Sequence, residues 1–191
     1  MSFTGSAPRP LVLADLWVGG RVRAAVLVML GAVVTGVAAQ VSIPIPGTPV
    51  PLTLQTFAVL LAGTALGSRL GALSMTVYAG LGFAGVPWFA DRASGVQFST
   101  LGYIVGFVAA AWICGRLAER AADRRVPTAV LSMVVGNVVI YAFGVVGLMS
   151  ALSVDLPTAI SLGVTPFLVG DVLKIAVAGG LLPSTWKLTG R

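Results

Sequence analysis

The chain contains no histidine and only one cysteine, Cys114. Lack of histidine removes Ser-His and Cys-His nucleophile pairs and every His-ligated metal site. A lone cysteine forms no internal disulfide. Cys114, set in an apolar run, reads as a small core residue. Acidic residues number six and do not cluster, so paired carboxylates for acid/base work and carboxylate metal cages are missing too. No catalytic residue, metal or cofactor is expected. Charge as a whole is scarce, at 9% of 191 residues against 57% hydrophobic, whereas a soluble domain carries about 25% charge. A water-soluble fold would leave these apolar residues nowhere to hide.

The few charges are clustered. None falls within 24–68, 70–90, 93–115 or 126–154. A membrane-crossing helix needs about 20 apolar residues. These runs predict an all-α membrane protein of six transmembrane helices over 22–41, 53–67, 70–86, 100–117, 127–152 and 162–183. Only Ser68-Arg69 separates the second from the third, which predicts a tight helical hairpin. The whole chain, 1–191, reads as one domain. The run after Arg21 and Arg23 is long for the apolar part of a signal peptide, so the first span is read as retained. Residues 10–20, with Asp15 and Trp17, suit a short helix on the membrane surface.

The net charge of +6 does not point to nucleic acid, because the basic residues are sorted. Arg9, Arg21, Arg23, Arg69, Arg116, Arg120, Arg124, Arg125, Lys187 and Arg191 fall on one side of the six-span arrangement. Only Arg92 falls on the other. This is the positive-inside pattern, and it predicts that both termini are cytoplasmic. The basic loop between spans 4 and 5 reads as an orienting, lipid-facing element.

Gly80-Leu-Gly82-Phe-Ala-Gly85 matches GxGxxG, but a dinucleotide site needs a preceding strand in a βαβ unit. At the end of a membrane span the motif reads as close packing and a chain turn. Small residues recur at four-residue spacing, as in Ala32/Gly36, Gly63/Gly67/Gly71 and Gly102/Gly106, and let helices approach closely. Most of these ridges suit internal packing, whereas one on an outer face suits docking of another membrane subunit.

Asp171 and Lys174 carry the strongest functional signal. Between Asp155 and Lys187 they are the only charges. At i and i+3 they share one helix face. A charge at the bilayer centre costs at least ~3 kcal/mol, so such residues are usually kept for function, with a structural ion pair as the plain alternative. Two other loops stand out. Ser42 to Leu52 holds Pro44, Pro46, Pro49 and Pro51 and is stiff and extended. It leads into Thr53, Gln55 and Thr56. Val86 to Thr100 holds Trp88, Phe89, Asp91, Arg92 and Gln97, with the length and aromatic content of a lid. Pro166 and Gly170 predict an irregular start to the last span. Together these features predict a small external pocket, with Gln55, Tyr103, Asn137, Tyr141, Asp171 and Lys174 as polar candidates. Asp accepts hydrogen bonds and Lys donates them, which suits a neutral urea or amide. A ligand carboxylate would need a further donor, from Arg92 or a helix start. A structural membrane protein and an intramembrane enzyme remain alternatives.

The segment Ile43-Pro-Ile-Pro-Gly-Thr-Pro-Val-Pro-Leu-Thr-Leu-Gln-Thr-Phe-Ala-Val-Leu-Leu-Ala-Gly63 resembles the BioY family, the substrate-capture (S) components of energy-coupling factor transporters for biotin. Leu81-Gly82-Phe-Ala-Gly85-Val-Pro87-Trp-Phe89-Ala90, Gly102-Tyr103-Ile-Val-Gly106-Phe107 and Gly170-Asp171-Val-Leu-Lys174 continue the likeness. The resemblance implies high-affinity biotin capture at a bacterial cytoplasmic membrane by a multi-pass protein. It implies that Asp171 and Lys174 contact the ligand. With biotin as that ligand, Trp88, Phe89 and Tyr103 are expected to cover its ring and chain, with Asp91 and Arg92 in the lid, although relatives often carry a smaller aliphatic residue where Trp88 stands. It also implies that Ala32 and Gly36 dock a transmembrane coupling subunit, and that two ATPase subunits drive uptake. Biotin and membrane lipid are the other expected partners, nucleic acid is not, and a homo-oligomer is left open.

Overall fold

A computed structural model describes residues 11–17 and 19–189. Arg9 and Arg191 lie outside them. The chain forms α1 (Arg21–Ala39), β1 (Ser42–Ile43), β2 (Leu52–Thr53), α2 (Gln55–Leu66), α3 (Ser68–Phe83), α4 (Phe98–Ala118), α5 (Val126–Leu152), α6 (Leu156–Gly163) and α7 (Leu168–Leu188). Four helical stretches, 21–39, 98–118, 126–152 and 156–188, are long and apolar enough to cross a membrane. At 12 and 16 residues, α2 and α3 are shorter. They meet as the predicted hairpin at Gly67, whose φ of 82° is left-handed and suits glycine. Many large apolar side chains face outward, such as Val26, Leu30, Val33 and Val37 on α1 and Val169, Val172, Leu173 and Val177 on α7. Such an exterior suits lipid as its surroundings.

The fold is all-helical as expected, apart from one short ribbon in which the proline-rich loop pairs its ends antiparallel, Ser42 opposite Thr53 and Ile43 opposite Leu52. Prolines hold the intervening chain extended, and Gly47 turns it with φ 88°. The last apolar stretch holds two helices, α6 mostly before the expected span and α7 mostly within it. Asp155 caps α6 by accepting from the Thr158 N–H at 3.1 Å. After Gly163 the chain passes through a 3-10 turn at Thr165–Phe167 before α7 begins. Pro166 sits in that turn, which accounts for the irregular start foreseen there.

α4 is the central helix and packs on α2, α3 and α5. Glycines set its distances. A Cβ on Gly63 would lie 2.6 Å from the Ala111 carbonyl oxygen, and one on Gly71 2.7 Å from the Gly63 Cα. The GxGxxG stretch closes α3, with the Phe89 ring in the space a Gly82 Cβ would need and Gly85 at φ 112°. The turn reading therefore holds.

One end of the bundle gathers the basic loops. Arg124 Nη2 donates to the Leu11 carbonyl at 3.1 Å and its guanidinium lies 3.8 Å from the centroid of the Trp186 ring. Glu119 accepts from the Ser68 N–H at 2.9 Å, which ties the α2–α3 junction to the end of α4. Leu11 and Trp186, near the two ends of the described chain, thus lie at the same end of the bundle. Among the described residues of the expected surface helix at 10–20, Leu13–Leu16 is helical, as a 3-10 turn, with Val12 and Ala14 buried and Trp17 exposed.

Asp123 is buried at this end. Its Oδ2 accepts from Trp186 Nε1 at 2.6 Å, and its Oδ1 has no hydrogen-bond partner. Burial pushes its carboxyl above the usual range, partly offset by the Trp186 bond. A raised acid pKa means the folded state binds the proton more readily, so this group's contribution to stability falls as pH rises from the unfolded value through the folded one. Asp123→Asn keeps the acceptor without the charge. It is expected to hold or raise the melting temperature in detergent at neutral pH and to flatten its pH dependence. Asp123→Ala strands the Trp186 donor and is expected to cost about 1 kcal/mol.

Candidate functional site

At the opposite end, α7 opens beside β2. Asp171 falls in the first turn of α7, where the helix dipole favours a carboxylate. Lys174 follows one turn later. Its Nζ lies 3.0 Å from Asp171 Oδ1 and 3.0 Å from Thr56 Oγ1 of α2. The Tyr141 hydroxyl of α5 donates to the other carboxylate oxygen, Oδ2. Both charged side chains are nearly enclosed, at 6% exposure for Asp171 and 11% for Lys174. Three helices therefore converge on one ion pair.

The pair lines a cavity of about 190 Å³. Of the residues predicted from sequence, Gln55, Phe89, Asp91, Tyr103, Tyr141, Asp171 and Lys174 border it. Trp88, Arg92 and Asn137 do not line it. Trp88 turns toward α1 and α3, where its Nε1 donates to the Tyr78 carbonyl at 3.0 Å. Arg92 is exposed at the loop tip. Asn137 borders a smaller crevice on the inner side of Lys174, with Thr56 and Ile175, and its buried Oδ1 has no hydrogen-bond partner.

The lining residues differ in what they offer a ligand. Gln55 is occupied, since its amide donates to Tyr78 Oη at 2.7 Å and accepts from Thr53 Oγ1 at 2.9 Å. It shapes the wall. Tyr103 donates its hydroxyl to the Gly163 carbonyl at 2.8 Å and presents its ring. Phe89 is held edge-on to Tyr78 and Phe83, at centroid distances of 5.3 and 5.5 Å. The Asp171 carboxylate has about four acceptor sites and the Lys174 ammonium three donors. Two acceptor sites and two donors are used within the protein. What remains is room for two further donors at Asp171 and one acceptor at Lys174. That is the complement of a cyclic urea, with two N–H groups and one carbonyl.

Thr56, Gln97, Thr100 and Phe107 also border the cavity. No local pattern marks these four as ligand contacts, although Thr56 follows the proline-rich loop and Gln97 and Thr100 lie in the loop expected over 86–100. Thr56 lies 118 positions from Lys174, and no local pattern joins residues so far apart. Tyr103→Phe is expected to keep the ring, lose the bond to Gly163, lower stability by about 1 kcal/mol and weaken ligand binding only a few-fold. Calorimetric titration against a thermal melt would separate the two effects.

Ala32 and Gly36, expected on a docking face, point inward. Ala32 is fully buried, and a Gly36 Cβ would come 3.1 Å from the Trp88 ring. The small-residue ridge of α1 serves packing against α3 and the α3–α4 loop.

A family model described as BioY family matches residues 10–191. The chain is 41% identical over 155 residues to a probable biotin transporter BioY of Pyrococcus horikoshii, covering 80% of this chain and 89% of that protein. It is 39% identical over 145 residues to a biotin transporter BioY of Thermotoga maritima, covering 74% and 83%. A crystal structure of the S-component for biotin from an ECF-type ABC transporter superposes with a TM-score of 0.78, at 19% identity and over 87% of this chain and 92% of that one. At that identity the likeness carries the fold alone.

Proposed function

The chain belongs to the BioY family, and we propose from that footing that it captures biotin and delivers it across the cytoplasmic membrane as the S component of an energy-coupling factor transporter. It is a transport subunit rather than an enzyme. One observation carries the assignment of the site: the hydrogen-bonding capacity left on Asp171 and Lys174 is that of a urea acceptor. In this reading Asp171 takes the two ureido N–H groups and Lys174 donates to the ureido oxygen. Tyr103, Phe89 and Phe107 enclose the apolar ring and chain. Gln97 and Thr100, at the start of α4, supply donors for the carboxylate, helped by free N–H groups of the helix start.

The sorted arginines support six crossings with both termini in the cytoplasm, α2 and α3 forming a short hairpin pair that crosses with local thinning or flanking loops. A coupling membrane subunit and two ATPase subunits complete the transporter. Docking through Ala32 and Gly36 has no support, because both are covered within the chain. The outward face of α1 is the better candidate.

Radiolabelled biotin uptake in cells carrying this chain, with and without coupling ATPases, tests the reading. Uptake above background that competes with unlabelled biotin is expected. A purified, folded protein with no melting shift at saturating biotin would overturn it, because a tight ligand stabilises by mass action.

A further inference from the structure

Residues 84–97 connect α3 to α4, and from this loop Phe89, Ala90, Asp91, Ala93 and Gln97 line the cavity. The loop tip is not a relaxed turn. Asp91 and Arg92 both have left-handed backbone, with φ of 58° and 57°. Residues with side chains stay in that region only when their surroundings hold them there. Within the loop the Ala93 N–H donates to the Ala90 carbonyl at 3.1 Å and the Phe89 N–H to the Ala93 carbonyl at 3.0 Å, which closes the tip on itself.

Gln40, at the end of α1, ties this closed tip to the bundle. Its Nε2 lies 3.1 Å from the Trp88 carbonyl oxygen, 3.1 Å from that of Phe89 and 2.9 Å from that of Gly36. Every neighbour is an acceptor, so the amide must present its NH₂ group and turn its own oxygen away. One side chain thus pins two successive loop carbonyls to the last turn of α1. The flanking rings are seated separately, Trp88 over Gly36 and Phe89 over Gly82. The Trp88 carbonyl also faces the Tyr78 hydroxyl, at 3.4 Å, a longer contact than either bond from Gln40 to the loop. Gln40 itself is exposed. Its amide can exchange loop carbonyls for water without opening the core, as a latch requires.

We propose that Gln40 is a positioning residue that latches the 84–97 loop over the cavity and so sets how fast ligand enters and leaves. The kinetic part rests on the cavity being the biotin site. Radiolabelled biotin binding and chase on the purified full chain would measure both rates. Gln40→Leu is expected to speed association and dissociation together by about tenfold, the scale of one to two lost hydrogen bonds, while Kd changes far less. Gln40→Lys offers three donors to the same carbonyls and is expected to restore near-native rates. Gln40→Glu sets acceptors against acceptors and is expected to be faster than Gln40→Leu. General structural damage would slow association, the opposite sign.

A second readout needs no ligand. Cys114, the native cysteine, is buried, so a thiol placed by Ala93→Cys on the inner side of the loop reports its opening by maleimide labelling. Faster labelling with Gln40→Leu than with Gln40 supports the latch. Equal labelling rates overturn it whatever biotin does. A wild-type chain that binds no biotin overturns the cavity reading instead.

Discussion

Asp171→Asn is expected to lower biotin affinity by at least about 100-fold, close to 3 kcal/mol, measured by equilibrium binding on purified protein. The carboxylate now accepts from Tyr141 and Lys174 on two oxygens. An amide has one oxygen, and its NH₂ would face the ammonium or the ligand's own N–H groups. Lys174→Met leaves a buried carboxylate with Tyr141 alone. Breaking a buried pair from one side costs about 3–5 kcal/mol, so this variant should also melt earlier without ligand. The double variant Asp171→Asn/Lys174→Met removes the stranded charge and is expected to recover part of the melting temperature while binding stays lost. If affinity survives in every variant that folds, the pair is only a tie between helices and the site assignment fails.

Gly102→Leu should remove most folded protein. A Cβ at Gly102 would overlap the Phe143 carbonyl and lie 3.0 Å from the Gly147 Cα. Both neighbours are backbone of α5 and cannot swing aside as a side chain would. The cost is about 3 kcal/mol, at the upper end for an overpacked site, and Gly63→Leu should behave alike because the Ala111 carbonyl faces it. Gly80→Ala and Gly180→Ala are the controls, since nothing lies within 4 Å of either added Cβ. They are expected to stay within about 0.5 kcal/mol of the parent. Thermal unfolding in detergent, with the yield of monodisperse protein, compares the four. Equal losses at all four positions would mean that glycine flexibility, not close approach, matters there.

The difference between Gly102 and Gly180 illustrates how far the chain could be read without its fold. Both stand in apolar helices, and nothing local separates them. One abuts backbone and the other faces outward. The same gap explains Ala32 and Gly36. Their four-residue spacing marks a ridge, but a ridge packs equally well on a neighbour within the chain or on another subunit. Trp88 was expected to cover the ligand from its place in an aromatic loop. Its indole instead seats against Tyr78 and Gly36, and Phe89, one residue on, faces the cavity. Asp155 and Pro157 did carry a signal for α6, an N-cap followed by proline in the first turn, which the long apolar run masked.

Order along the chain was enough to determine the membrane setting, the approximate limits of the helices, the tight hairpin of α2 and α3 and the exceptional standing of Asp171 and Lys174. Each depends on what a short segment can tolerate: a run without charge, a two-residue connection, an ion pair one turn apart in oil. Only the tertiary structure decided that Thr56, Tyr141 and the α3–α4 loop meet this pair, that Gln40 reaches Trp88 and Phe89, and which face of α1 is hidden. In lipid both the inward and the outward side of a helix are apolar, so the pattern that reveals the buried face of a soluble helix is weak here. Facing is settled by where backbones can approach and where distant polar groups find partners, and both are properties of the assembled bundle.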